Sequence, residues 1–103
     1  MLLVTIETIP GQAFDVLGAV RGTVVYSKNF GRDLMAGFKT LVGGEIVSYT
    51  QLLNEARQIA TERMVRAAEE LGADAVVGLR YASASVMQGA AEVIAYGTAV
   101  KFR

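Results

Sequence analysis

Two absences limit the chemistry open to this chain: its 103 residues include no cysteine and no histidine. Histidine is the commonest general base, and cysteine is the most readily activated nucleophile. A serine or threonine nucleophile would therefore need a lysine or a carboxylate as its base. Ser27 and Lys28 are adjacent, but neighbours on a strand point to opposite faces, so the pair is read as structural. The same absences remove the thiolate and imidazole ligands that soft and borderline metals prefer. The methionines, at positions 1, 35, 64 and 87, are not clustered in sequence. No catalytic, metal or cofactor residue is assigned, and the chain is expected not to be an enzyme.

The remaining polar candidates are Arg32, Asp33, Arg57 and Arg80. Arg32 and Asp33 begin a short helical pattern, and Arg57 lies near the border of an apolar stripe. An exposed charge at such a border forms ion pairs worth little. At an interface, a guanidinium fork binds a carboxylate at two points and fixes register. Interface contacts and an anionic ligand are the two readings carried forward for these residues. Arg80 falls on a face of small residues. There it either finds a partner in a buried setting or reaches solvent past the sheet edge. The Gly18-x-x-x-Gly22 and Gly43-Gly44 strings lack the strand–helix context and the Lys-Ser/Thr of a phosphate loop, and are read as bends and caps.

These residues need elements to position them. Leu2 to Ile6 is a short apolar strand closed by Pro10-Gly11. Phe14 to Lys28 alternates with period two, placing Phe14, Val16, Val20, Val24 and Tyr26 on one face. Gly18 and Gly22 mark a bend or bulge in it. Asn29 caps a short helix carrying Phe30, Leu34, Phe38 and Val42, stopped by Gly43-Gly44. Ser48 and Gln51 form a capping box for a long helix. Its stripe is Leu52, Leu53, Ala56, Ile59, Ala60, Met64, Ala67 and Leu71, and Gly72 is its stop. Glu62 and Arg66 stand four apart in the favourable order.

The tail, Ala75 to Val86 and Ala91 to Phe102, predicts a hairpin turning at Gln88-Gly89. With facing numbers summing to 177, Tyr81 meets Tyr96, as an aromatic cross-strand pair or a stacking platform, and Arg80 meets Gly97. One face is bulky (Val77, Leu79, Tyr81, Ile94, Tyr96, Val100, Phe102) and suits the long helix. The other is small (Val76, Gly78, Ala82, Ala84, Val93, Ala95, Gly97, Ala99) and suits another layer. Neither is polar.

Composition agrees that surface needs covering. Hydrophobic residues make up 52% before the 11 glycines are counted, against a norm of about 45–50% apolar with glycine included. Charged residues are 19%, against about 25%. Ten basic and ten acidic residues cancel and are interspersed, which argues against nucleic acid and anionic membranes as partners. No stretch has the apolar length of a membrane helix, and the N-terminus lacks a secretory pattern. With no disulfide framework, the cytoplasm is the default compartment. Residues 1–103 are expected to form one domain, and the partner is expected to be a further copy of the chain.

Several strings then combine. Arg32-Asp33, Gly43-Gly44-Glu45, Tyr49 leading to Ala56-Arg57, Gly72-Ala73-Asp74-Ala75-Val76-Val77-Gly78 and Gly97-Thr98-Ala99-Val100 together resemble the YbjQ-like family of small bacterial and archaeal proteins. The resemblance covers nearly the whole chain. It implies an α+β, dodecin-like β-α-β-β subunit: a mainly antiparallel sheet packed on one long helix, with an extra short helix, assembling into a pentameric ring. The family is often labelled heavy-metal-binding and is otherwise without an assigned function. A chain with no cysteine and no histidine departs from that label, and no heavy-metal site is carried over.

Overall fold

The computed structural model describes residues 1–27, 49–87 and 90–103. The short helix expected after Asn29, its Gly43-Gly44 stop, the Ser48 cap and the Gln88-Gly89 turn lie outside the described residues. Four strands and one helix are described: β1 (Leu2–Leu3), β2 (Phe14–Ser27), α1 (Tyr49–Glu70), β3 (Ala75–Met87) and β4 (Ala90–Phe102). The strands form one mixed sheet in the order β1-β3-β4-β2. β1 runs parallel to β3, and the other two pairings are antiparallel. The N-terminal strand is shorter than its apolar run, but the segment stays docked on β3. Val4 donates its N–H to the Val76 carbonyl (3.0 Å), and Ile6 accepts from Gly78 (2.8 Å). Pro10-Gly11 then turns the chain, with Gln12 N–H bonded to the Ile9 carbonyl at 3.0 Å.

The helix ends where its sequence says it should. Gly72 has φ 77°, a conformation that glycine alone adopts without strain. Its N–H reaches the Glu69 carbonyl (2.9 Å) and that of Ala73 reaches Ala68 (3.1 Å). These two bonds are the Schellman pair that satisfies otherwise orphaned carbonyls.

α1 packs on the opposite sheet face from the one expected. Its fully buried row is Ala56, Ala60, Met64 and Ala68, one residue per turn. That row meets Val20, Val24, Tyr26, Val76, Leu79, Val93, Ala95 and Ala99, mostly the small-residue face. The reason is steric. A helix that presents alanines brings its backbone close to the sheet, and only a face without bulk admits it. Gly22 marks the closest approach. A Cβ there would run into the Ala60 carbonyl and Met64 amide, and would sit 2.8 Å from Arg63 Cβ. Gly22 is therefore a contact point and not a bend. Ala68 replaces Leu71 in the stripe, and Leu71 is exposed.

Bulges account for the rest of the differences. β2 shifts register between Val16 and Gly18, which turns Phe14 to the outer face while Val20, Val24 and Tyr26 stay under the helix. β3 shifts between Val77 and Arg80, and again between Ser85 and Met87. The facing numbers follow 77↔98, then 80↔96, and reach the expected sum only at Met87↔Ala90. Gly78, at φ 63°, supplies the left-handed residue of the first β3 bulge. Tyr81 therefore faces Ala95, and Arg80 faces Tyr96. On the outer face a second cluster forms from Ala75, Val77 and Val100, with Val4, Ile9, Phe14 and Phe102 packed against it.

Candidate functional site

Of the predicted polar residues, Arg32 and Asp33 lie outside the described residues. Arg57 is exposed on α1 and donates to Asn54 Oδ1, one turn back, at 3.0 Å. Arg80 is on the sheet face opposite the helix, not on the small-residue face. Its Nη1 donates to the carbonyls of Thr5 (2.7 Å) and Leu79 (2.9 Å), so it reaches past the sheet edge and is anchored there. Arg57 is on the helix and Arg80 is on the sheet face turned away from it, so the fold does not bring Arg57 and Arg80 together. Glu62 and Arg66 form no ion pair. The ion pairs among the described residues are Lys101–Asp74 and Arg103–Asp15.

Two surfaces stand out. The first is the far half of β3. Residues Ala75–Leu79 are largely buried, whereas every residue from Arg80 to Met87 is exposed. β4, flanked by strands on both sides, is still buried at Ala90, the residue that faces Met87. α1 lies mainly over β2 and β4, so it does not shield this stretch of β3. Among the described residues no strand pairs with its outer edge. The stretch includes Val86 (47% exposed) and Met87 (65%). One hydrogen bond ties it to the helix, between the hydroxyls of Tyr81 and Thr61 at 2.7 Å.

The second surface is a row across three strands on the outer face. Tyr96 of β4 stands opposite Arg21 of β2 on one side and Arg80 of β3 on the other. Both arginines are exposed, and Tyr96 is 43% exposed. Sequence reasoning missed this row because it placed Tyr96 opposite Tyr81. A glycine inside an otherwise regular strand, Gly78, was the signal for the bulge that changes the pairing.

No arrangement for catalysis is assembled among the described residues. A shallow groove along α1 is lined by Gln58, Thr61, Glu62, Val65, Arg66 and Glu69. The Thr61 hydroxyl there is engaged by the Arg57 carbonyl (2.7 Å) and by Tyr81, not by a base. Nor does the donor set fit a heavy metal. With no cysteine or histidine, the soft ligands left are methionine thioethers. Met64 is fully buried in the apolar core, Met1 and Met87 are exposed, and Met35 lies outside the described residues. One carboxylate oxygen, Glu55 Oε2, is buried without a hydrogen-bond partner among the described residues. A single hard oxygen supplies neither the number nor the softness of ligands such an ion takes. Among the described residues no three acidic, histidine or cysteine groups converge. No helix there is long and apolar enough to cross a membrane.

Comparison with known proteins adds four findings. The model of the YbjQ family, described as "Putative heavy-metal-binding", matches residues 1–103. A UPF0145 protein of Thermotoga maritima is 59% identical over 102 residues, covering 98% of this chain and 96% of its own length. One from Thermus thermophilus is 56% identical over 102 residues, covering 98% and 90%. A crystal structure of a protein of unknown function from Pediococcus pentosaceus, assigned to the DUF74 family, superposes with a TM-score of 0.62 at 21% identity. It covers 100% of this chain and 98% of that one, and its likeness supports the α+β fold.

Proposed function

The chain belongs to the YbjQ family, and on that premise we propose that it is a non-enzymatic cytoplasmic protein whose working form is a closed homo-oligomer, a ring of five dodecin-like subunits. The order β2–α1–β3–β4 supports the β-α-β-β reading. The observation that carries the assembly is the open half of β3. An unpaired edge strand is a template for another strand, and proteins that stay monomeric blunt such edges with lysine, proline or a cover. Arg80–Met87 has no lysine and no proline, and its one charge is turned back onto Thr5. The small-residue face no longer serves the argument, because the chain's own helix fills it. β2, at the other end of the sheet order, offers a second edge. Pairing β3 of one subunit with β2 of the next is head-to-tail, the contact type that closes a ring.

Light scattering tests this reading. Wild-type protein is expected to scatter at about five times the 11.0 kDa of one chain. Lysines at Ala84 and Val86 are expected to reduce it to a single chain with an unchanged circular dichroism spectrum. A wild-type particle of 11.0 kDa at roughly micromolar concentration would overturn the assembly. A large particle that persists in the double variant would reject this edge as the contact.

A further inference from the structure

We infer that Arg63 is a latch on the outer edge of β2: it holds the Thr23 carbonyl in the single chain and yields it to β3 of a second copy when the ring closes. The latch presupposes the ring proposed above, and gives its joint a register and a control.

Backbone direction fixes which groups each edge offers. Successive residues of a strand direct their N–H and C=O groups to opposite sides. On β4 the Val100 carbonyl accepts from the Asp74 N–H (2.9 Å), and the Phe102 N–H donates to Asp74 Oδ2 (2.8 Å), both on the β3 side. The Arg103 N–H donates to the Ala13 carbonyl (3.1 Å), on the β2 side. The extra residue at each register shift lies on β2 or β3, never on β4. Even positions of β4 therefore bond to β3, and odd positions bond to β2. Ala95 and Val93 take Gly22 and Val24, which leaves the backbone groups of Arg21, Thr23 and Val25 facing outward. Ile94 and Glu92 take Ala82 and Ala84, which leaves those of Tyr81, Ser83 and Ser85 facing outward.

These two rows fit each other. β2 and β3 are both antiparallel to β4, so they run the same way. A neighbour that continues the sheet with its helix on the same side brings its β3 parallel to β2. Thr23 and Ala82 face one residue, Ile94, from its two sides. With strands along the axis of a closed ring, which has no net rise between subunits, that line of residues continues across the joint. It sets Ala82 of the partner subunit beside Thr23. The bonds of a parallel ladder slant, so each residue donates to one neighbour of the residue it faces and accepts from the other. The Thr23 N–H then meets the carbonyl of Tyr81 of the partner subunit, and the Thr23 carbonyl meets the N–H of Ser83 of the partner subunit. Both belong to the outward row of β3.

The Thr23 carbonyl is already taken in the single chain. Arg63 Nη1 donates to it at 2.6 Å. Gly22 makes this reach short: a Cβ there would lie 2.8 Å from Arg63 Cβ, so Arg63 leaves the helix directly over β2. Arg63 is exposed and forms no ion pair among the described residues. A covered acceptor blunts an edge strand. The open half of β3 lacks such a cover, because Arg80 donates to the Thr5 and Leu79 carbonyls, outside the Tyr81–Ser83–Ser85 row. One edge is guarded and the other is open, so the guarded edge decides when the two pair.

The rival reading is that Arg63 only secures α1 to β2. Its loss would then weaken the fold and, with it, any assembly coupled to folding. The latch predicts the opposite sign. The whole chain is diluted in steps and followed by light scattering. Arg63→Ala is expected to lower the concentration at which the ring half-dissociates by about fivefold, the weight of one exposed hydrogen bond. Arg63→Met keeps the aliphatic stem over the sheet and should act alike, with an unchanged circular dichroism spectrum. Arg66→Ala removes the same charge from the same helix and should change nothing. An unchanged or raised midpoint in both Arg63 variants, or an equal drop in Arg66→Ala, would overturn the latch. The register is read separately. The chain has no cysteine, and Thr23 and Ala82 of one chain are two strand spacings apart, about 9–10 Å, beyond disulfide reach. Thr23→Cys combined with Ala82→Cys is therefore expected to link only neighbouring chains, giving multiples of 11.0 kDa on a non-reducing gel. A ring that forms without such links would place the joint elsewhere and overturn the latch while leaving the ring. A particle of 11.0 kDa at every concentration would overturn the ring and the latch with it.

Discussion

The two halves of β3 obey opposite rules. Ala75–Leu79 is buried on both faces and paired on both edges, with β4 on one side and the N-terminal segment on the other. Arg80–Met87 is paired on one edge and exposed throughout. The bulge at Gly78 is the border. Before it the residues are Ala-Val-Val, the apolar run of a strand buried on both faces. After it small and polar residues alternate. The difference shows that burial here follows the number of neighbouring elements more than the hydropathy of each residue. Val86 is as apolar as Val76, but one is 47% exposed and the other is not exposed at all.

The covered half depends on the close seat of α1, so the largest expected effect comes from disturbing that seat. Gly22→Val places side-chain atoms where the Ala60 carbonyl and Met64 amide already are. A rigid backbone cannot yield as a side-chain tip would, and overpacking of this kind costs about 3 kcal/mol or more. That is a large share of the total stability of a small domain. Urea denaturation followed by circular dichroism should show a midpoint well below that of wild type, or no folded baseline. A midpoint matching wild type would mean that the helix does not sit on Gly22.

A smaller effect is expected at the end of the helix. Gly72→Val forces a β-branched residue into φ 77° and weakens the two capping bonds, for a loss of about 1 kcal/mol. The same denaturation series reads it. Because α1 feeds directly into the buried half of β3, the loss should appear as a lowered midpoint of the whole transition and not as local fraying. An unchanged midpoint would show that the Schellman bonds contribute nothing.

The helix was legible because its signals are local. The Ala56, Ala60 and Met64 spacing and the Gly72 stop need no knowledge of the rest of the chain. The strands were legible too, to within a residue at most ends. Register was not, because it is a relation between distant segments, and each bulge moves it by one. Three shifts, near Gly18, Gly78 and Val86, exchanged the faces that simple alternation assigns. The consequences reached the site. The Tyr81–Tyr96 pair dissolved, Arg80 moved away from Gly97, and the Arg21–Tyr96–Arg80 row came into view. The helix face was misread for a separate, steric reason. Small residues were read as room for another subunit, whereas they are the room α1 itself requires.

The smallest expected effect lies at the side-chain bond that joins the open half of β3 to the helix. Tyr81 is the second residue of the open stretch, and its hydroxyl meets Thr61 on the helix at 2.7 Å. Thr61 also donates to the Arg57 carbonyl, so its hydroxyl stays satisfied when Tyr81 is changed to phenylalanine. Both residues are at least partly exposed, and water replaces the lost contact. Tyr81→Phe should therefore cost about 0.5 kcal/mol or less in global stability, at the low end for a hydrogen bond. Locally the expectation differs. With the clasp removed, opening of Arg80–Met87 should become easier, because few other contacts hold that stretch to the helix. Amide hydrogen exchange is the measurement. Faster exchange confined to 80–87, with 75–79 unchanged, would sharpen the contrast between the halves. Equal acceleration across all of β3 would break it, by showing that the strand opens as one unit and that Gly78 marks no boundary in energy.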